Sequence, residues 1–239
     1  MRWGQLASVV LAVATVLSGC DSGGSGGPPE TPSVTPPPVA TTTPPSPADQ
    51  LRARARALGR TPFHATYRAR RTHPLSAATL VVDHTARSVR VDVTTGGTTA
   101  TLIVTPHASY ACSRSRHDRA CFRVARAGQP VRAPFNLAPQ TVFTTDVTQL
   151  ASHTARYRVA SAGRRAATAS VPAATCFSVH RRQVTREPRA PGGTYCFADS
   201  GVLTSVTYSS GSTLKMRSVR LTAPAHTRFH PYASATPLP

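Results

Sequence analysis

The sequence is poor in several residue types, and each shortage narrows the possible class of protein. Lys215 is the only lysine among 28 basic residues, and only 9 residues are acidic, so arginine sets the formal net charge of +19. Aromatic residues make up 6% of the 239 residues, which is few for a protein that stacks bases. Charged residues reach only 15% and hydrophobic residues 40%, so a fully disordered chain is excluded.

Motifs of catalysis are also missing. The chain has no GxSxG elbow, no HExxH helix and no phosphate-binding loop, and its acidic residues are scattered. Asp83 and His84 are adjacent, and we interpret them as a strand-end turn pair rather than a catalytic dyad. His226 and His230 have helical spacing, but prolines on both sides disfavour a helical metal site. We therefore expect a protein that is not an enzyme and that binds no cofactor or metal.

The first 20 residues carry an export signal. Arg2 provides a positive start, and the apolar run from Leu6 to Leu17 has the length of a signal peptide, too short to span a membrane. The run ends in Leu17-Ser18-Gly19-Cys20, which resembles a bacterial lipobox. The resemblance implies that residues 1–19 are removed and that Cys20 receives diacylglycerol and further acylation, such as palmitate. An ordinary secretory signal with a chance cysteine is the alternative. We expect a lipid-anchored protein on the extracytoplasmic face of the cell membrane.

Composition divides the rest of the chain into three parts. Residues 20–46 consist mostly of Pro, Gly, Ser and Thr and cannot bury enough surface to fold, so we predict a disordered linker. The linker would hold the domain away from the bilayer; a proline-rich ligand for an aromatic groove is the alternative reading. Residues 47–223 are predicted to form the folded domain. Residues 224–239, which are rich in proline, are predicted to be an irregular tail.

Four further cysteines fit an oxidising compartment. Cys112, Cys121, Cys176 and Cys196 make an even number, which predicts two disulfides, although three connectivities are possible. Local pairing is the simplest, because each pair of neighbours in the sequence flanks a polar, turn-rich segment. A metal site is disfavoured, since no CxxC spacing occurs.

Periodicity predicts two short helices and many strands. Ser46 and Pro47 begin a helix whose apolar residues Leu51, Ala55 and Leu58 share one face, and Gly59 ends it. Residues 141–152 are predicted to form a second helix, which β-branched residues weaken. Phe63, Ala65, Tyr67 and Ala69 alternate with polar residues, as in a half-buried strand. The predicted strands are 63–70, 79–83, 89–94, 98–105, two around Tyr110 and Phe122, 155–160, 166–171, 175–180, 194–197, 202–209 and 213–222.

This order of elements predicts an α+β, mostly β fold. A curved antiparallel sheet of about 11 strands would form an open half-barrel, with the two helices on its concave side. The lipobox, this order of elements and the segment Tyr195-Cys196-Phe197-Ala198-Asp199-Ser200-Gly201-Val202-Leu203 together resemble LolA-like lipoproteins, in particular the actinobacterial LprG and LppX type. The resemblance covers roughly residues 47–222. It implies a lipid or other hydrophobic ligand in the half-barrel.

One face of the predicted strands supplies candidate ligand contacts. These residues are Phe63, Tyr67, Leu80, Val82, Val91, Leu102 and Val104. A packed core would need the same residues, so the pattern leaves both readings open. The alternative function is a non-catalytic envelope sensor or scaffold that binds a protein or an anionic wall polymer.

The positive charge does not by itself indicate nucleic acid. The protein is predicted to be exported and has no nucleic-acid-binding motif. Several arginines occupy predicted outward strand positions, which are interpreted mainly as a solvated face: Arg68, Arg70, Arg90, Arg123 and Arg158. Attraction to anionic envelope polymers or lipid headgroups is the functional alternative.

Overall fold

The computed structural model describes residues 44–71, 76–131, 135, 138–182 and 190–237. All of them belong to one unit, which begins at Thr43. The predicted signal peptide, Cys20 and nearly all of the predicted linker lie outside the described residues, so the lipid anchor stays a prediction.

Helix α1 spans Pro47–Leu58 and begins where the sequence predicts. The hydroxyl oxygen of Ser46 accepts a hydrogen bond of 3.2 Å from the backbone N–H of Asp49, which satisfies one of the free donors of the first turn. Pro47 occupies the first turn, where no backbone N–H is needed. The predicted apolar stripe is the buried face of the helix: Leu51, Ala55 and Leu58.

The described strands form one 12-stranded sheet. In chain order they are β1 (Phe63–Arg71), β2 (Ser76–His84), β3 (Val89–Thr95), β4 (Thr98–Val104), β5 (Ala108–Arg114), β6 (Arg119–Arg126), β7 (Tyr157–Arg165), β8 (Ala174–Arg181), β9 (Gly193–Ala198), β10 (Leu203–Tyr208), β11 (Thr213–Arg220) and β12 (Ala235–Pro237). Their spatial order is β12-β6-β5-β4-β3-β2-β1-β11-β10-β9-β8-β7. The predicted mostly β fold with an open, curved sheet and two short helices is confirmed.

Two local meanders, β1–β6 and β7–β11, meet in the middle of the sheet. The first and last of these strands, β1 and β11, pair antiparallel, with Tyr67 opposite Met216 and Arg68 opposite Lys215. We call this β1–β11 pairing the seam. Among the described strands, only the short β12 breaks the antiparallel pattern, because it pairs in parallel with β6.

The second helical segment covers one face of the sheet together with α1. It consists of α2 (Ala138–Thr141), a π-helical turn (Val142–Asp146) and α3 (Val147–Ser152), so it begins three residues before the predicted position. Its buried apolar side chains include the three predicted to share a face: Phe143, Val147 and Leu150. We call the sheet face under these helices the inner face and the opposite one the outer face.

Two predicted details are wrong. Residues 166–171 are not a strand, because the chain reverses there in a turn in which Thr168 donates its backbone N–H to the carbonyl of Val171 at 2.8 Å. The tail is not irregular throughout, since it contains a 3-10 turn (His226–Phe229) and β12. β12 lies at the edge of the sheet, where Pro237 needs to donate no hydrogen bond to a further strand.

Both disulfides of the structure join cysteines that are neighbours in the sequence. Cys112 bonds to Cys121 between β5 and β6, and Cys176 bonds to Cys196 between β8 and β9. Each pair is directly opposite in the register of its two strands, which is the local pairing that the sequence favoured.

Among the described residues, no helix combines the length and the hydrophobicity that crossing a membrane requires.

Candidate functional site

The seven predicted ligand contacts all lie on the inner face. Six are completely buried: Phe63, Tyr67, Leu80, Val82, Val91 and Leu102. Val104 is partly buried and packs against the same core. Since a packed core needs these residues as much as a cavity does, ligand contact by them stays a prediction.

The side chains of the second helical segment fill the space above these residues. The rings of Tyr67 and Phe143 have centroids 5.1 Å apart, and the Tyr67 hydroxyl donates to the carbonyl of Leu203 at 2.8 Å. Phe63 stacks on His84 with ring centroids also 5.1 Å apart. The middle of the half-barrel is therefore packed, and open space lies towards its ends.

An apolar pocket lies at one end of the seam. Its volume is about 250 Å³, and we call it the mouth pocket. It is lined by the end of β1, the turn between β10 and β11, the start of the second helical segment and Pro191, two residues before β9. The lining residues are Ala69, Arg70, Arg71, Pro139, Thr141, Pro191, Tyr208, Ser209, Ser210, Ser212, Thr213 and Leu214.

The register explains why this pocket has an apolar floor. Ala69 pairs with Leu214, and Leu214 pairs with Val206, so these three neighbours point to the inner face. Gly201, at the other end of β10, lies against α1, whereas the second helical segment covers the pocket end only from Ala138 onward. The mouth pocket thus lies at the end of the inner face where the second helical segment begins.

Several buried polar groups lie beside the mouth pocket. The hydroxyl of Thr141, a lining residue, donates to the Oδ2 atom of Asp146 at 3.2 Å. The Tyr195 hydroxyl donates to the carbonyl of Pro191 at 2.7 Å, and its ring packs edge-on against Tyr208 with centroids 6.4 Å apart. The buried Tyr208 hydroxyl has no hydrogen-bond partner within the described part of the chain.

Burial dominates the chemistry of Asp146. Only 5% of this residue is exposed, and desolvation raises the pKa of its carboxyl group to about 6, while the hydrogen bond from Thr141 and the charge of Arg181 pull the pKa down. Burial also raises the pKa of Tyr208 and of Tyr195, each with the Asp146 charge acting in the same direction. The carboxyl group is therefore protonated in mildly acidic solution and ionised at neutral pH.

We expect the stability of the domain to depend on Asp146 between about pH 4 and pH 6. The folded pKa of about 6 lies above the ordinary value near 4, so the folded chain binds this proton more tightly than the unfolded chain. The contribution is fully present below about pH 4 and is lost as the pH rises through 6, by roughly 2–3 kcal/mol. Urea unfolding of the wild type and of Asp146→Asn across this pH range measures the change in the free energy of unfolding.

Asp118→Asn is the matched control, because Asp118 is an exposed aspartate at the β5–β6 turn. Asp146→Asn should remove the change in the free energy of unfolding over this pH range, and Asp118→Asn should retain the wild-type pH dependence. A pH dependence unchanged by Asp146→Asn would contradict the assignment.

Sequence reasoning did not find the residues of the mouth pocket. Strands 202–209 and 213–222 were predicted, so the turn that carries Ser209, Ser210 and Ser212 could be located. What the sequence does not contain is a signal that β1 pairs with β11, and only this pairing brings Ala69 next to Leu214.

The outer face is partly covered by the tail, which corrects the interpretation of Arg90 as solvated. Arg90 is only 9% exposed and donates to both carboxylate oxygens of Asp92, at 3.0 and 3.1 Å. It also donates to the backbone carbonyl of Arg228 at 3.0 Å. Arg90 and Arg114 both lie over the ring of Tyr232, with Cζ atoms 5.9 and 5.8 Å from its centroid.

Asp83 links the tail to the sheet. Its buried carboxylate accepts hydrogen bonds from Arg228 at 2.9 and 3.0 Å and contacts the Nδ1 atom of His64 at 2.7 Å. His84 points to the opposite face and stacks on Phe63, so Asp83 and His84 do not act together. The pair is a structural feature at the end of β2.

A second cavity, of about 600 Å³, lies between the tail and the β2–β3 and β4–β5 turns. It includes His107, His226 and His230, and the Nε2 atom of His230 is 3.2 Å from the Nδ1 atom of His226. Within the described ranges, no group of three or more His, Cys, Asp or Glu side chains is arranged to hold a metal ion.

No family model matches the chain, and no curated protein matches it. Solved structures do share part of its architecture. The Pseudomonas aeruginosa MucA/MucB complex matches with 17% identity over 77% of this chain, at a TM-score of 0.49. The match spans 60% of the other chain. An uncharacterised conserved protein from Thermus thermophilus matches with 10% identity over 80% of this chain and 99% of its own, also at 0.49.

A third similar structure is a putative outer membrane lipoprotein-sorting protein domain from Vibrio parahaemolyticus. It has 9% identity over 77% of this chain and 94% of its own, at a TM-score of 0.31. With TM-scores below 0.5, these similarities are no argument for a function, and membership of the LprG and LppX type stays a prediction.

Proposed function

We propose that the protein is a non-catalytic, lipid-anchored protein of the outer face of the cell membrane that binds a hydrophobic group in the mouth pocket. The observation that supports this proposal is an apolar pocket of about 250 Å³ at the end of the seam, in a half-barrel whose middle is packed. Ala69 and Leu214 on its floor are both buried, so the floor of the pocket is part of the apolar inner face.

The size of the pocket limits the ligand. An apolar cavity of roughly 150 Å³ holds benzene, and pockets for whole drug-sized ligands are about 300–1,000 Å³. A pocket of about 250 Å³ therefore suits one ring or a short alkyl segment, with the rest of the molecule outside. The ligand we propose is a lipid or a similar amphiphile held by one apolar end, rather than a lipid enclosed in the half-barrel.

The polar groups beside the pocket favour a ligand that carries a hydrogen-bonding group near its apolar end. Tyr208 lines the pocket, and its hydroxyl, which is shielded from solvent, has no hydrogen-bond partner among the described residues. A buried donor of this kind gains a hydrogen bond when a carbonyl or hydroxyl oxygen reaches it. An ester or carboxyl group next to an alkyl segment has this chemistry.

The envelope scaffold remains the second candidate, and the packed inner face is the observation that favours it. A scaffold needs a rigid sheet and no cavity, and the contact of Tyr67 with Phe143 closes the middle of the half-barrel. A scaffold would retain its partner when the mouth pocket is blocked, whereas a ligand-binding protein would lose its ligand.

Filling the mouth pocket should weaken binding of a hydrophobic probe. Ser212 lines the pocket at the β10–β11 turn and is only partly exposed, so Ser212→Trp would place an indole in the space that the ligand needs. In the full chain with Cys20→Ser, which removes the protein's own acyl chains, we expect at least tenfold weaker binding of N-phenyl-1-naphthylamine, about 1.4 kcal/mol. Fluorescence titration and displacement by decanoic acid measure the affinity.

Ser218→Trp is the matched control, because Ser218 is an exposed serine of β11, the strand that follows the turn, and does not line the pocket. It should bind the probe within about twofold of the parent chain. Mass spectrometry of organic extracts should detect a co-purified lipid with the parent and with Ser218→Trp, and less of it with Ser212→Trp. Equal probe binding by both tryptophan variants would refute the mouth pocket as the site.

A further inference from the structure

A basic groove lies along the outer face of the seam, next to the mouth pocket, with which it shares Arg70, Arg71 and Thr213. Its volume is about 570 Å³, and five of its eight lining residues are cationic. The cationic residues are Arg68, Arg70, Arg71, Lys215 and Arg217. The other three are Gly211, Thr213 and Met216.

The register of the seam brings these charges together. Arg68 is directly opposite Lys215, and Arg70 is opposite Thr213. Alternate residues of a strand are about 7 Å apart, and neighbouring strands are about 5 Å apart. A register shift between Thr66 and Tyr67 leaves Arg217 without a partner in the ladder, so it adds a further charge beside Lys215. The result is a row of cations at intervals of roughly 5–7 Å.

The cations of the groove have no acidic partners among the described residues. Elsewhere in those residues, Arg52, Arg54, Arg90 and Arg228 each pair with an aspartate. Like charges directly opposite each other in a sheet are destabilising, and Arg68 and Lys215 are such a pair. A solvated arginine face does not require this arrangement, because the charges would repel less if they were spread out. An anion that bridges them would remove the repulsion.

The residues that line the groove indicate which class of anion it would bind. Guanidinium groups bind phosphate in a bidentate geometry, and four of the five cations are arginine. A row of charges suits a chain of repeated charges better than a single ion. No aromatic residue lines the groove, so it offers no platform on which nucleic-acid bases could stack. We propose that the basic groove binds a linear polymer of phosphate groups that carries no bases.

Charge reversal in the groove tests this proposal. Medium-chain linear polyphosphate is the probe, and its affinity for the full chain with Cys20→Ser is measured by isothermal titration at several salt concentrations. We expect Arg68→Glu with Lys215→Glu to weaken binding at least tenfold and to reduce the slope of log K against log salt by about 2, because two phosphate contacts are lost.

Arg123→Glu with Arg158→Glu is the matched control. Both are exposed arginines at outward strand positions outside the groove, so the net charge changes by the same amount. This control should keep the salt slope and lose little affinity. Arg68→Gln with Arg217→Gln is a second groove pair with smaller changes in charge, and neither residue lines the mouth pocket. It should also weaken binding, and it serves as the test if the first pair fails to fold. Circular dichroism checks the fold of each variant.

Four results would overturn the proposal. The first is that wild-type protein does not bind polyphosphate, and the second is that the groove and control pairs lose affinity equally, which would show an effect of net charge alone. The third is tighter binding of oligothymidylate than of polyphosphate, which would indicate recognition of bases. The fourth is groove-dependent binding of vesicles rich in phosphatidylglycerol without binding of polyphosphate, which would assign the groove to a membrane surface.

Discussion

Gly201→Ala is expected to destabilise the domain by about 4 kcal/mol. Gly201 has a φ of +85°, and a Cβ atom there would lie 2.5 Å from the Cβ atom of Ala57 and 2.7 Å from the backbone nitrogen of Leu58. Left-handed backbone costs a residue with a Cβ atom roughly 1–2 kcal/mol, and overpacking adds about 1–3 kcal/mol. The clash involves backbone of α1, which cannot move away without lifting the helix from the sheet. Urea unfolding monitored by circular dichroism measures the loss.

Gly97→Ala separates the two causes. Gly97 lies in the β3–β4 turn with a φ of +82°, but a Cβ atom there would meet no other atom within 4 Å. This variant carries the backbone strain without the clash, so we expect a loss of about 1 kcal/mol. If both alanine variants lost the same stability, the close packing of α1 on the β9–β10 turn would contribute nothing, and the prediction would fail.

Reduction of both disulfides is expected to remove about 6 kcal/mol of stability. The two bridges span 9 and 20 residues, and restricting loops of this size in the unfolded chain stabilises the fold by about 3 kcal/mol each. Domains are commonly stable by only about 5–15 kcal/mol, so the reduced chain should be partly or wholly unfolded under physiological conditions. Urea unfolding with and without reductant provides the measurement.

Two double variants measure separately how much each disulfide contributes to the stability of the domain. Cys112→Ala with Cys121→Ala opens a short turn, whereas Cys176→Ala with Cys196→Ala opens a longer loop and leaves space beside the buried Ser205. We expect the second variant to lose more stability than the first. An unfolding midpoint that does not move on reduction would show that neither bridge constrains the unfolded chain.

Local signals predicted most of the fold. The cap at Ser46 and the stripe of Leu51, Ala55 and Leu58 describe α1, because both depend on residues close together in the chain. The alternation from Phe63 to Ala69 likewise identifies the buried face of β1. Such signals indicate which face of a helix or strand is buried, but they do not indicate which residues cover that face. For this reason the sequence could not decide between a packed core and a cavity.

Contacts between distant residues explain what the sequence did not predict. Arg228 binds Asp83, which is 145 residues away, and this ion pair orders a tail whose proline content predicts irregular structure. The same tail buries Arg90, which alternation alone places in solvent. The mouth pocket and the basic groove both depend on the pairing of β1 with β11. The composition of these two strands does not indicate that they pair.

The seam also has a consequence for the order of folding. The strands of each meander pair with neighbours in the chain, so they can form early with little loss of loop entropy. Tyr67 and Met216 of the seam are about 150 residues apart, and their pairing must wait until two partly built halves meet. Since the mouth pocket and the basic groove are each lined by residues of both β1 and β11, neither exists in a separate half. A ligand at either site would bind only the state in which the two halves are paired, and it would therefore stabilise that state.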